Sequence, residues 1–370
     1  MREMSSLELQ CAVRELNGAL AGARVQKFYE LGDGEFRLEL HTKGKGTLDL
    51  AVELKRRIGA TKYIRPAPKE PTQFAMQMRK RLDGAAITKV EQYGMDRVAY
   101  FEMERGGEKM RLLFEMFSDG NLILTDGEGM IIAAYRHEEW KDRVIRPRSK
   151  YIFPATGKVN PFDLSAAKLR DLMNEKKIVA CLAQRVNLGP NYVEEVLKRA
   201  EIPFDRQADK LTDKELWKLM DGFVEVFWGL SRPEPVICYK DGKPFDYAPF
   251  PLSRFAGAEV KKFKTMSEML DEFYITTERA PQPESELEKK RKKLEFALGE
   301  QRAAVSALLE RAAEAKLAGD RLYEKYQEAE ALLEAVRRRR NEKAPWDEIE
   351  RELAGKVKID HAKGRMEAEL

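Results

Sequence analysis

The sequence predicts an α+β protein with three parts: a mainly antiparallel β-sheet head, an inserted helical domain with a helix-hairpin-helix, and a long coiled-coil helix. Three observations lead to this fold class. Short runs of alternating apolar and polar residues, separated by glycine-containing turns, fill most of residues 23–136. Helical spacing replaces that alternation over residues 165–229. A heptad pattern then begins at Leu287.

The first element is a helix with a clear start signal. Ser5 is followed three residues later by Glu8, which is the spacing of a capping box. Apolar residues then recur at helical spacing, at Leu9, Val13, Leu16 and Leu20. Gly22 ends the predicted helix.

The head continues with strands and one further helix. Residues 23–31, 35–42 and 46–54 alternate between apolar and polar side chains and are predicted strands. An amphipathic helix begins after Pro71. Residues 85–136 read as consecutive strands joined by the turns GMD, RGGE, SDG and DGEG, which is typical of an antiparallel meander.

The middle of the chain is predicted to be helical. Its short helices are expected at residues 165–174, 176–186, 190–201 and 212–229. The Gly189-Pro190 turn resembles a helix-hairpin-helix unit, whose backbone N–H groups can face a phosphate; a plain helical connector is the alternative. Residues 234–250 return to strand patterning, which we interpret as a return to the first sheet with the helices as an insertion.

The charged segment that follows Pro283 is a predicted coiled-coil arm. Alternating steps of four and three residues from Leu287 to Val336 give fifteen positions, of which twelve are apolar. Such a seam needs a partner helix, and the remaining sequence predicts only a short helix and a β-hairpin. We therefore expect that a returning arm lies downstream in a longer natural protein, or that the arm pairs with another molecule, for example as a homodimer.

These patterns divide the chain into five predicted segments. They are a head at 1–160, a helix-hairpin-helix domain at 161–231, a return to the head at 232–282, a coiled-coil arm at 283–343 and a middle segment of the stalk at 344–370.

Composition narrows the class of protein. The 370 residues include 67 Lys and Arg against 63 Asp and Glu, so the net charge of +4 favours a nucleic-acid partner only weakly. Three scattered cysteines fit a reducing cytoplasm, and no apolar leader or membrane span is evident. The isolated histidines and the lack of a P-loop or nucleophile elbow predict no metal, no cofactor and no conventional enzyme.

Local clusters of cations are more informative than the net charge, because phosphate contacts need repeated cations. Charge runs are usually solvated faces, so the clusters are candidates for RNA or ribosome binding only when taken together. They comprise Lys55, Arg56 and Arg57; Arg79, Lys80 and Arg81; and Lys141, Arg143, Arg146, Arg148 and Lys150.

Several linked motifs resemble one family. The segments SSLELQCAVRELNGALAGARVQKFYE, FAMQMRKRLDGAAI, YGMDRVAYFEM, RLLFEMFSDGNLILTD and FDYAPFPL are similar to the N-terminal half of the NFACT family of RqcH- and NEMF-like factors. The resemblance covers essentially the whole chain. It implies a cytoplasmic ribosome-associated quality control factor that binds obstructed large ribosomal subunits, peptidyl-tRNA and aminoacyl-tRNA, typically alanyl-tRNA. It also implies template-free alanine tailing in which the ribosome performs the peptidyl transfer.

The resemblance assigns roles to three residues. The family's Asp-Arg motif corresponds here to Asp96 and Arg97, which are then expected to contact tRNA. From the residues alone, Asp96 is equally a turn residue and Arg97 a strand-edge cation. Glu8 stands where the family pattern has aspartate, and its capping role explains it locally.

Three other functions are weighed. A formamidopyrimidine-DNA glycosylase has a related head architecture, but it needs an N-terminal proline and usually a four-cysteine zinc finger, whereas Arg2 and Glu3 stand here. A fibronectin-binding adhesin needs a secretion signal or wall anchor. A coiled-coil scaffold would not depend on the cations of the head.

Overall fold

The computed structural model describes residues 2–44, 46–140, 142–155, 157–279, 286–353, 356–360 and 365–368. The chain divides into two compact units, Met1–Pro281 and Gln282–Leu370. Each is described by itself. The five predicted segment boundaries are finer than this division and stay a prediction.

A large antiparallel sheet forms the frame of the first unit. Its strands are β1 (Arg24–Gly32), β2 (Glu35–Thr42), β3 (Gly46–Glu53), β4 (Arg57–Thr61), β5 (Ala86–Gln92), β6 (Val98–Arg105), β7 (Glu108–Glu115), β8 (Asn121–Asp126) and β9 (Ile131–Ala134). They run side by side in the order β4-β3-β2-β1-β5-β6-β7-β8-β9. Two antiparallel meanders are therefore joined where β1 meets β5.

The predicted meander is confirmed by the strand register. In the β6–β7 hairpin Arg105 pairs with Glu108, so the RGGE turn leaves two central residues. Both are glycines with positive φ, 59° at Gly106 and 85° at Gly107, which is the backbone that a type I′ turn requires. The strand β4 was not predicted.

Helices cover one face of this sheet. They are α1 (Ser6–Leu20), α2 (Gln73–Leu82) and α7 (Met266–Arg279). The first lies against β4 and β5, the second against β1 and β9, and the third against β4. The main apolar core lies between this layer and the sheet, and includes Phe28, Phe101 and Phe114. A smaller cluster around Leu113, Ile123 and Tyr151 lies apart from this core.

The inserted helices are present close to the predicted positions. They are α3 (Ala166–Leu172), α4 (Ile178–Arg185), α5 (Pro190–Arg199) and α6 (Asp213–Ser231), preceded by the short hairpin of β10 (Glu138–Trp140) and β11 (Arg143–Ile145). Gly222 of α6 lies so close to α5 that a Cβ there would stand 2.6 Å from the Val196 carbonyl oxygen. The missing side chain lets the two helices touch.

The segment after α6 corrects one expectation. Residues 234–250 form β12 (Val236–Lys240) and β13 (Lys243–Ala248), which pair with β14 (Glu259–Lys262) in a separate sheet of order β13-β12-β14. They return to the main core through side chains such as Val236, Ile237 and Tyr247. Their alternation fitted any antiparallel sheet and did not specify which edge they would join.

The second unit is mainly helical. It contains α8 (Glu286–Glu324), α9 (Tyr326–Asn341), α10 (Trp346–Glu352) and a final hairpin of β15 (Val357–Asp360) and β16 (Arg365–Ala368). The predicted single arm is interrupted at Lys325, where φ is −110° and ψ is 28°. Nothing in the local sequence explains that interruption. Seam residues such as Leu294, Leu298 and Leu308 are exposed.

Candidate functional site

A cleft of about 490 Å³ lies where the start of the chain, the β5–β6 turn and the start of α5 meet. Its walls are lined by Arg2, Glu3, Met4, Ser5, Ser6, Arg97, Lys158, Asn187, Gly189, Pro190, Asn191 and Tyr192. Arg97 of the predicted Asp-Arg motif and the predicted helix-hairpin turn therefore line the same cleft.

The start of α1 is fixed by the predicted capping box. The Ser5 hydroxyl accepts from the Glu8 N–H at 3.3 Å, and the Glu8 carboxylate accepts from the Ser5 N–H at 2.7 Å. Glu8 is also buried, with 1% of its surface exposed, and accepts from the Tyr192 hydroxyl at 3.0 Å. Glu8 thus links α1 to α5, and its predicted contact with tRNA stays a prediction.

Arg2 is held beside Glu8 by two carboxylates. It forms an ion pair with Glu8 and donates from Nε to Asp246 at 2.7 Å, and its guanidinium lies 4.5 Å from the centre of the Tyr247 ring. Burial lowers the pKa of Arg2, but the Glu8 carboxylate raises it, and the net pKa lies above its ordinary value. Burial raises the pKa of Tyr192 most, and the Glu8 carboxylate raises it further. The hydroxyl therefore stays protonated and donates its hydrogen bond to Glu8.

Asp96 is a buried residue that connects three segments of the site through hydrogen bonds. Its carboxylate accepts from the Asn187 side-chain amide, and its carbonyl accepts from Gln92 Nε2 at 2.8 Å. The same Gln92 nitrogen donates to the Ser6 carbonyl at 2.9 Å. Asp96 therefore links the β5–β6 turn to the loop before α5 and to the start of α1. Its predicted contact with tRNA stays a prediction.

Arg97 faces the cleft directly. Its side chain is 30% exposed and donates from Nη1 to the Glu3 carboxylate at 2.7 Å. Glu3 itself is 48% exposed. A partly exposed guanidinium whose carboxylate partner is itself about half exposed is suited to bind another anion, such as a phosphate.

The opposite wall is the start of α5. Gly189 has φ of 89°, and Pro190 occupies the first helical turn, so the chain turns sharply into the helix. The positive end of the helix dipole and the exposed Lys158 are therefore on the same cleft as Arg97. The cleft has a cationic rim on both walls, with Glu3 as its anionic member.

The basic clusters divide into outward-facing and inward-facing cations. Exposed members are Lys80, Arg81, Arg146, Arg148 and Lys150. Half-buried members are Lys55, Arg56, Arg79 and Arg143. Lys141 lies outside the described residues.

Arg57 is directed into the protein. It is buried, with 4% of its surface exposed, and donates to Glu53 and to Asp271 at 2.8 Å each. Its predicted contact with RNA stays a prediction. Arg143 is also directed inward, to the buried Glu115. Burial raises the pKa of the Glu115 carboxyl, and Arg143 lowers it by a smaller amount. The net pKa therefore lies above its ordinary value.

No group of three or more His, Cys, Asp or Glu side chains in the described part of the chain stands close enough to hold a metal ion. Cys11, Cys181 and Cys238 are buried free thiols. The helices within the described ranges include none with the length and apolar character needed to span a membrane.

Comparison with protein families gives a match over nearly the whole chain. A family model described as NFACT N-terminal and middle domains matches residues 5–366. Among curated proteins, the archaeal Rqc2 homolog aRqcH of Methanocaldococcus jannaschii is 32% identical, over 94% of this chain and 54% of that protein. The Rqc2 homolog RqcH of Bacillus subtilis is 30% identical, over 70% of this chain and 47% of that protein. The chain thus spans about half the length of these two relatives.

Solved structures resemble about three quarters of the chain. The fibrinogen binding protein from Staphylococcus aureus matches with a TM-score of 0.61 and 22% identity, over 73% of this chain and 98% of that chain. The N-terminal part of the fibronectin/fibrinogen-binding protein from Streptococcus suis matches with a TM-score of 0.59 and 24% identity, over 74% and 99%. At these identities the likeness establishes the fold alone. The MutM (Fpg) protein of Thermus thermophilus is a more distant neighbour, with a TM-score of 0.31.

Proposed function

Because the chain belongs to the NFACT family, we propose that it acts in ribosome-associated quality control and binds RNA through the Arg97 cleft. Two relatives that match it carry the name Rqc2 homolog, and the human relative is a ribosome quality control complex subunit, NEMF, at 24% identity over 74% of this chain. The cleft is the part of the chain to which we assign the contact with tRNA.

The observation that carries the proposal is the placement of Arg97. Its guanidinium is bonded to Glu3, which is itself about half exposed, so a phosphate can replace that carboxylate without unfolding the site. Lys158 and the start of α5 lie on the same cleft and add positive potential. An extended polyanion with several phosphates matches this arrangement better than a small neutral ligand does.

The exposed cations outside the cleft extend the proposed surface. Lys80 and Arg81 lie at the end of α2, and Arg146, Arg148 and Lys150 lie on the segment that follows β11. Such side chains contact phosphates without reading sequence, so they favour binding to ribosomal RNA and to the tRNA backbone alike. We assign them a general electrostatic role and Arg97 a specific one.

In detail, the proposed substrate is a large ribosomal subunit obstructed by peptidyl-tRNA. The factor would recruit aminoacyl-tRNA, of the alanyl type, so that the nascent chain receives a C-terminal tail without a template. The ribosome would form each peptide bond, so this chain would be an elongation factor of the cytoplasm and not an enzyme. A second copy paired along the arm is a further part of this proposal.

The test is co-sedimentation of the chain with large subunits that carry peptidyl-tRNA. We expect the unmodified chain to bind and Arg97→Gln to bind about 5- to 20-fold more weakly, as for loss of one charge-assisted contact. Arg136→Gln is the matched control, because Arg136 is 29% exposed and donates to Asp33 at 2.7 Å but is absent from the cleft. No binding by the unmodified chain, or equal loss in both variants, would contradict the assignment.

A further inference from the structure

An aromatic stack includes Tyr93 of the β5–β6 turn, the turn that also carries Arg97. The rings of Tyr93 and Phe153 are nearly parallel, with centroids 3.9 Å apart and an angle of 12° between their planes. Tyr93 is 40% exposed, whereas Phe153 is half-buried. One face of the Tyr93 ring is therefore covered by Phe153, and much of the remainder is open to solvent.

The stack is held rigidly. Phe153 meets Tyr151 edge to face at 5.1 Å and Tyr100 at 6.0 Å. The backbone of Tyr93 is fixed on both sides, since its N–H donates to the Val98 carbonyl at 2.9 Å and its carbonyl accepts from the Asp96 N–H at 3.0 Å. An aromatic ring that is fixed before binding loses little conformational entropy when a second flat group stacks on it.

The position of the stack follows from the alternation of β6. Ala99 and Phe101 belong to the main core, and Tyr100 belongs to the small cluster of the opposite face. By the same alternation, Arg97 lies on the face of the sheet that the helices cover. Val98, which pairs with Tyr93, lies on the opposite face. The turn is thus an edge with a cation on one side and an exposed ring on the other.

Phe153 lies between cations in the sequence. Lys158, five residues further on, lines the cleft together with Arg97, and five residues span at most about 18 Å. Upstream of Phe153 the same segment presents the exposed cations Arg146, Arg148 and Lys150. Exposed cations therefore flank Phe153 on both sides in the sequence.

We propose that Tyr93 is a stacking platform for an unpaired base of the RNA strand whose phosphate binds at Arg97. This inference rests on the proposed function and adds a ligand group to it, a nucleobase of single-stranded RNA. Base-on-ring stacking between flanking cations is how proteins hold single strands without reading their sequence. The strand would pass over the β5–β6 turn, with a phosphate at the cleft and a neighbouring base on the outer face.

The alternative role of Tyr93 is to cover Phe153 and the small cluster beneath it. Two substitutions separate the roles. Tyr93→Leu keeps an apolar cover over Phe153 but has no ring, whereas Tyr93→Phe keeps the ring and loses the hydroxyl. A cover function would be served by both variants, and a stacking function only by Tyr93→Phe.

The experiment measures the affinity of the full chain for a labelled single-stranded oligoribonucleotide and for tRNA, over a series of salt concentrations. We expect Tyr93→Ala and Tyr93→Leu to weaken binding about 5- to 50-fold with an unchanged salt dependence, and Tyr93→Phe to bind like the unmodified chain. Arg97→Gln should lower the slope of log affinity against log salt by about 0.7. Tyr63→Ala is the matched control, since Tyr63 is 44% exposed and lies outside the cleft.

Each outcome has a defined meaning. Full affinity in Tyr93→Leu, or equal loss in Tyr93→Phe, overturns the stacking platform while a weakened Arg97→Gln still supports the proposed function. Unchanged RNA binding in every variant, Arg97→Gln included, overturns the proposed function itself. Unchanged affinity of Tyr93→Ala for both RNAs, together with a weakened Arg97→Gln, overturns the inference and leaves the proposed function standing.

Discussion

Arg97 donates a hydrogen bond to the Glu3 carboxylate at 2.7 Å, across 94 residues of sequence. Both side chains line the same cleft, so the carboxylate occupies the position in which a phosphate would bind. The proposed RNA site therefore includes its own competing anion, carried near the start of the chain.

Removal of that anion should strengthen RNA binding. We expect Glu3→Gln to bind tRNA about 3- to 10-fold more tightly, because no carboxylate then competes with the phosphate for Arg97. The measurement is a titration of labelled tRNA at two salt concentrations. Asp33→Asn is the control, since Asp33 pairs with Arg136 in the same way and is absent from the cleft. Weaker binding by Glu3→Gln would show that the carboxylate positions Arg97 and does not compete for it.

The buried Glu8 should matter more for stability than for direct binding. Glu8→Gln leaves Arg2 with one carboxylate fewer and removes the charge that Tyr192 faces, so we expect a loss of about 3 kcal/mol in the free energy of unfolding. Urea unfolding measures it. Glu215→Gln is the control, because Glu215 forms the corresponding capping box of α6 at the surface, where solvent screens its ion pair, and its loss should be smaller than that of Glu8→Gln. Equal losses would contradict the buried role.

Glu215 also gives the helical insertion a defined acid response. Its bonds with Arg206 and then with Thr212 lower its pKa from 4.5 to about 2. Because the folded pKa is depressed, the stability that it contributes is present above pH 4.5 and is lost as the pH falls toward 2. The melting temperature of Glu215→Gln should lie below that of the unmodified chain at pH 6 and converge with it near pH 2. A constant difference across this range would contradict the assigned pKa.

Local sequence patterns predicted most of the first unit, because alternation and capping act over a few residues. The capping box of Ser5 and Glu8 and the Gly106-Gly107 turn are of this kind. The strand β4 was missed since RIGAT is short and begins with the last residue of a cluster of cations. The partners of residues 234–250 were misassigned because strand pairing depends on contacts that alternation does not encode.

The site was predictable only in part, for a similar reason. The resemblance supplied Asp96 and Arg97, but their partners Asn187 and Glu3 lie 91 and 94 residues away in the chain. No short motif marks such a pair. The burial of Arg57 was equally unpredictable, because its partner Asp271 is 214 residues away in the chain. A triplet of basic residues also has the same sequence pattern whether it lies on a surface or in a core.

The contact between α5 and α6 gives the sharpest test of how the insertion is built. A Cβ at Gly222 would stand 2.6 Å from the Val196 carbonyl oxygen and 3.3 Å from the Ala200 Cβ, and neither backbone-held atom can move alone. We therefore expect Gly222→Ala to destabilise the chain by about 1–3 kcal/mol through overpacking. Gly18→Ala is the matched control: it lies within α1, has no atom within 4 Å of the added Cβ, and should stabilise by about 0.5–1 kcal/mol through helix propensity. Urea unfolding of both variants measures the difference, and stabilisation by Gly222→Ala would show that the two helices separate at little cost. Since α5 also begins at the cleft, weaker tRNA binding should accompany the loss of stability in Gly222→Ala and be absent from Gly18→Ala.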